Sequence, residues 1–272
     1  MTTPLVLPVD VERYKRLRSV SIELTGRMIK TIPRKAFHEI GEALGILHDG
    51  VLVFATEDVT SVLMDCCLYD WLEGGKNLVE KYAASHGAAP GSNEDGLLRA
   101  YQKARYRIVL PKAYLAGAGA QVGDVLSGEQ LFLMDINLSR NSPGLPLALA
   151  TRTIPLEGFW ITGGAPLVMD ARTAELALYR LEKAKVLVGN ALVAPHKMAL
   201  IVVRACLESG AAEHVRFEDP GAPDVDSTSG GQRPWRESRA SGRNESCPCG
   251  SKRKYKKCCG VTAFSPALRS RY

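Results

Sequence analysis

The sequence predicts an α+β protein: a helical N-terminal part, a small β-sheet or barrel module, a helical closing segment, a flexible linker and a cysteine-rich zinc knuckle. Three observations predict it. Apolar residues recur at a helical period through the first hundred positions. Short β-prone runs separated by glycine-rich turns begin near Tyr106. Beyond a Gly, Pro and Ser stretch, four cysteines fall within thirteen residues. The expected divisions are 1–105, mainly helical; 106–168, the β module; 169–207, the closing helices; 208–242, the linker; 243–260, the knuckle; and 261–272, a basic tail.

Val11, Tyr14, Leu17, Val20 or Ser21, Leu24, Met28 and Ile29 lie close to a 3.6-residue period, so a helix is expected over 10–31. Pro33 ends it or starts a new one, and Ala36, Phe37, Ile40, Ala43 and Leu44 continue the spacing. Leu47-His-Asp-Gly50 is a turn leading into a short strand over 51–55. Thr56 followed by Glu57 and Asp58 signals a helix start. That helix carries Val59, Val62, Leu63, Cys66 and Cys67 inward, and Gly74-Gly75 breaks it. Two further helices follow, over 76–85 and, capped by Ser92, over 94–105.

The next expected runs are strands over 107–114, 120–125, 129–135, 147–155 and 158–166. Several short strands at such spacing suggest a small sheet or barrel. Asp170 opens another helix with Ala174, Leu176 or Ala177, Leu181, Ala184 and Val188 inward. After Gly189-Asn190 the last helix is expected over 192–207. The linker has low hydrophobicity and many breakers, with a root-mean-square reach of ~30 Å.

Composition sets the outer limits. Of 272 residues, 46% are hydrophobic and 24% charged, as in ordinary globular proteins. No apolar run reaches the ~18–20 residues that span a bilayer, and the first residues lack a signal-peptide pattern, so a cytoplasmic location is expected. There, seven cysteines favour metal binding or free thiols over a disulfide framework. The net charge of +6 is uneven. From Arg233 onward eleven Lys and Arg face two acids, Glu237 and Glu245, so that stretch carries +9 and residues 1–232 carry −3. A basic tail suits an acidic protein face, nucleic acid or anionic lipid.

Within the body, Asp65, Cys66, Cys67 and Asp70 invite a metal or nucleophile reading, but the cysteines sit in an apolar helical pattern that points to core packing. His38 and His48 lack partners of the H-E-x-x-H kind. Glu94 and Asp95 suit a first helical turn. Neither Gly117-Ala-Gly119 nor Gly163-Gly164 completes a phosphate-loop pattern.

The sharper chemistry is in the tail. Cys247, Cys249, Cys258 and Cys259 supply four thiolates, a full tetrahedral shell for one Zn²⁺. A filled shell leaves no position for a reacting water, so the zinc is expected to be structural. Lys252, Arg253, Lys254, Lys256 and Lys257 offset the −2 charge of such a centre and favour thiolates before metal arrives. A module this small has almost no core, and metal binding would supply its folding energy.

Residues 243–260 resemble the SEC-C motif, the zinc-binding extreme C-terminus of the SecA preprotein translocase ATPase. The shared residues are Arg243, Asn244, Cys247, Pro248, Cys249, Gly250, Ser251, Lys254, Tyr255, Lys256, Lys257, Cys258 and Cys259. Glu245, Ser246, Lys252 and Arg253 depart from the pattern without removing a ligand. The resemblance implies a zinc knuckle that binds a partner, as in SecA, where it contacts an acidic export chaperone and the ribosome. It does not imply ATPase or translocase activity, since the chain has no Walker motif. A second stretch, with Asp124, Gly128, Glu129, Ser139, Arg140, Pro143, Gly144, Arg152 and Pro155, is similar to a β module of uncharacterised bacterial proteins that also end in SEC-C. That similarity implies a small barrel and a bacterial source.

Three readings of function follow. In the first, the protein is a zinc-binding adaptor whose closed four-cysteine tail docks on an acidic chaperone- or ribosome-like surface through Lys252, Arg253, Lys254, Tyr255, Lys256 and Lys257. In the second, the tail and Lys103, Arg105 and Arg107 contact nucleic-acid phosphates. In the third, the body is an enzyme drawing on Asp65, Asp70, Glu94, Asp95, Asp135 and Arg140, although no spacing ties any two of these together.

Overall fold

Asp10 accepts the amide of Arg13 at 2.7 Å and so caps the first helix, α1 (Val11–Ile29). A computed structural model describes residues 10–54, 56–140, 147–189 and 191–210 of the chain. The buried stripe of α1 is Tyr14, Leu17, Ser21, Leu24 and Met28. Ser21, not Val20, takes the inward position because its hydroxyl lies 2.7 Å from the Tyr101 hydroxyl. Two polar groups that satisfy each other can be buried at little cost. Extended Pro33 precedes α2 (Arg34–Leu44), which ends at left-handed Gly45.

A small hairpin follows, β1 (Leu47–His48) and β2 (Val51–Leu52), turned by Asp49 and Gly50. Both turn residues have positive φ, the conformation that suits a two-residue hairpin. α3 (Glu57–Tyr69) begins after Thr56 as expected, but the Thr56 hydroxyl makes no capping bond. Asn77 and Glu80 form a reciprocal capping box at α4 (Leu78–Ser85), and Ser92 caps α5 (Asn93–Tyr101).

The five expected strands close into a barrel: β3 (Arg105–Leu115), β4 (Gly119–Asp124), β5 (Gln130–Met134), β6 (Ala148–Leu156) and β7 (Phe159–Met169). The order around the barrel is β3-β4-β5-β7-β6. All pairs are antiparallel except β5 with β7. A short helix absent from the sequence reading, α6 (Ile136–Arg140), sits between β5 and β6. Asp135 starts it by accepting the Leu138 amide. This connectivity is that of the OB-fold, a five-stranded Greek-key barrel. Its interior is filled by Val109, Ala120, Val122, Leu131, Leu133 and Leu149. Helices pack on the outer faces of β3, β6 and β7.

The closing segment departs from expectation in one place. α7 (Ala171–Lys183) stops early, and Leu187–Val188 (β8) pairs with Ala191–Leu192 (β9) as a second hairpin. Val188 therefore points out, 55% exposed, rather than into the core. The last helix, α8, runs Pro195–Glu208, with proline in its first turn, so Leu192 is a strand residue.

The second hairpin explains the departure, because it repeats the first at an offset of 140 residues. Ile46 N donates to Gly41 O at 2.9 Å and Val53 N to Ile46 O at 2.9 Å. Val186 N donates to Leu181 O and Val193 N to Val186 O at the same distance. Gly45 and Lys185 both take positive φ. The following helices bury matching positions: Val59 with Ala199, Val62 with Val202, Leu63 with Val203 and Cys66 with Cys206. Two helix–hairpin–helix units thus flank the barrel in sequence, and α2 packs on α8.

Candidate functional site

The offset of 140 also isolates what differs between the units. Asp65 and Asp70 of the first correspond to Ala205 and Gly210 of the second. At these two positions, at the end of the second helix of each unit, the first copy carries two carboxylates where the second carries none. Their partner is Arg152 of β6, a residue the sequence reading did not single out for chemistry. Arg152 Nε donates to Asp65 Oδ2 at 2.9 Å and Nη2 to Asp70 Oδ2 at 2.5 Å. All three side chains are under a tenth exposed. The guanidinium also lies 4.3 Å from the Tyr69 ring centre and 5.3 Å from that of Tyr106.

The electrostatics follow from one cation facing two acids. Burial pushes both carboxyl groups above the usual range, Asp70 to about 6, while Arg152 opposes the shift. Burial and the two aspartates hold the neighbouring Cys66 thiol well above its ordinary value. Oxygens of Asp65 and Asp70 and the sulfur of Cys66 lie within 4.8 Å of one another, close enough to surround an ion. The donor chemistry fits poorly, since the carboxylates already hold a guanidinium and the thiol is kept protonated. Cys66, Cys67 and Cys206 are free and buried, as their apolar surroundings predict.

The remaining acids named from sequence are dispersed and engaged. Glu94 pairs with Arg27 at 2.7 Å and Asp95 with Arg99 at 2.7 Å. Asp135 accepts from Thr162 Oγ1 at 2.7 Å. The Arg140 side chain lies outside the described residues. His38 and His48 are exposed. Arg107 is a correction to the nucleic-acid reading, for it is 3% exposed and cannot reach a phosphate. It closes one end of the barrel against Asp124 at 2.5 Å and Glu129 at 2.8 Å, over the Trp160 ring. Lys103 and Arg105 do face solvent.

Cys247, Cys249, Cys258 and Cys259, with Lys252, Arg253, Lys254, Tyr255, Lys256 and Lys257, lie outside the described residues, as do the linker and the basic tail. Among the described residues, no helix is long and apolar enough to cross a membrane.

An OB-type barrel flanked by two helix–hairpin–helix units, on a chain that also carries a cysteine-rich segment, defines a two-part protein, and the comparisons match the two parts separately. Residues 9–189 match the model of a family of unknown function (DUF7986), and the chain belongs to that family. Residues 243–260 match the SEC-C motif. The protein translocase subunit SecA of Pelobacter propionicus is 66% identical over 29 residues, 11% of this chain and 3% of that protein. SecA of Desulforamulus reducens is 58% identical over 33 residues, 12% of this chain and 4% of that protein. The chain thus spans only a few hundredths of the length of these curated relatives. No solved structure matches the chain.

Proposed function

We propose that the protein is a zinc-dependent adaptor in which the SEC-C tail grips a protein partner and the body presents a second recognition surface. The match of residues 243–260 to the SEC-C motif carries this reading. The donor set fits zinc: Cys247, Cys249, Cys258 and Cys259 are four soft thiolates at close spacing, which complete a tetrahedral shell. Bound zinc would fold the segment and set its cations at fixed places around Tyr255. Lys252, Arg253, Lys254, Lys256 and Lys257 would then meet an acidic chaperone- or ribosome-like face in the cytoplasm. The body supports a binding role over a chemical one, because its two adjacent acids are committed to Arg152.

Native mass spectrometry of the full chain tests the metal, and affinity capture with a Cys247→Ser/Cys249→Ser variant tests the grip. One zinc per chain is expected, lost in the variant together with a defined subset of partners. A wild-type chain that retains no zinc, or a variant that captures the same partners, would overturn the reading.

A further inference from the structure

A cleft of about 550 Å³ runs along one face of α5, walled by the start of α1 and the β6–β7 turn of the barrel. Its volume lies within the range of small-ligand sites. Ser92, Gly96 and Arg99 succeed one another at helical spacing along one side, and Lys103 follows in the turn just past the end of α5. Arg13 of α1 stands among the facing residues, and Leu17 and Leu156 contribute apolar surface. At Gly96 an added Cβ would meet nothing within 4 Å, so this stretch of the wall is bare.

Three cations line this cleft against one acid, Glu157. The Glu157 carboxylate is 92% exposed and lies 3.4 Å from Arg13, which also donates to the Glu157 carbonyl oxygen at 3.1 Å, and the exposed Arg99 pairs with the half-buried Asp95. A solvated pair such as Arg13–Glu157 contributes little and yields to a stronger anion. The Lys103 ammonium has no partner among the described residues.

We propose that this cleft binds a phosphate-bearing ligand of nucleotide size. Two guanidinium forks match phosphate oxygens in pairs, and a lysine adds a point charge. The apolar surface receives the uncharged part of the ligand. No aromatic ring lines the cleft, so recognition rests on phosphate and shape rather than on stacking. The same chemistry is offered by a free nucleotide and by the backbone of a single strand. The proposal is independent of the tail.

The test uses the full chain, with ADP followed by calorimetry and a labelled single strand of about 12 nucleotides followed by anisotropy. The variants are Arg99→Gln/Lys103→Gln, the charge reversal Arg99→Glu/Lys103→Glu, and a tail control, Lys254→Gln/Lys256→Gln/Lys257→Gln. The neutral cleft pair should weaken the ligand about tenfold, the reversal more, and the tail control should bind as wild type does. ADP binding alone assigns a free nucleotide, and strand binding alone assigns a backbone. Should the reversal unfold, the neutral pair decides, with a thermal melt as its folding control. The proposal is overturned if wild type binds neither probe below ~1 mM, or if the neutral pair binds both as wild type does.

Discussion

Arg152 Nη2 lies 2.5 Å from Asp70 Oδ2, joining the end of α3 to the outer face of the barrel across 82 residues of sequence. Asp65, one and a half turns earlier, takes the Nε proton of the same guanidinium. The cluster is buried, carries one more acid than base, and exists in only one of the two helix–hairpin–helix units.

Removing the cation should therefore cost far more than removing a surface charge. Arg152→Met leaves two buried carboxylates without a counter-charge, and a loss of ~3–5 kcal/mol is expected in urea unfolding. Asp65→Leu/Asp70→Leu/Arg152→Met replaces the whole cluster and should recover most of it. A single-variant loss below ~1 kcal/mol would show that the cluster does not join the two layers.

The same cluster sets a pH dependence. Asp70 is pushed up to about 6 from an ordinary 3.8, mainly by burial, so the folded chain holds that proton more tightly than the unfolded chain. Its contribution is fully present below pH 3.8 and is lost as pH rises through about 6. Asp65 is shifted in the same direction. Denaturant unfolding of wild type and Asp70→Asn across this window should give curves that diverge toward neutral pH, with the variant gaining. Parallel curves would contradict the assignment.

Two glycines of one barrel strand should respond differently to alanine. At Gly119 a Cβ would lie 1.9 Å from the Leu133 carbonyl oxygen, a backbone atom of the paired strand. At Gly123 the nearest atom is the Lys112 Cε, at 2.9 Å, the end of a flexible chain that can move away. Gly119→Ala is expected to cost ~2–4 kcal/mol and Gly123→Ala under ~1 kcal/mol, measured by thermal unfolding. Equal effects would show that the β4–β5 register yields at this point.

What the sequence determined by itself was local. The stripe Tyr14, Leu17, Leu24 and Met28 announces α1 because a helix repeats every 3.6 residues. The cap at Ser92, the five strand runs and the cysteine spacing of the tail are read in the same way, from residues within a turn or two of each other. Two misreadings arose where a local pattern has two solutions. Val188 and Leu192 continue a helical stripe equally well as they make a hairpin, and the match to 47–52 at an offset of 140 was the signal that separates them. Arg107 looks like a surface cation until Asp124 and Glu129 stand beside it.

Only the tertiary structure decided the pairings. Asp65 and Asp70 are five apart on a helix, a spacing with no meaning of its own, and they become a pair because Arg152 arrives 87 and 82 residues later. Arg13, Arg99 and Lys103 likewise share a cleft only once α1 packs against α5 and the β6–β7 turn closes beside them. Periodicity records which face of an element is buried. Which distant side chain meets that face is set by how the layers close, and no short-range pattern contains it.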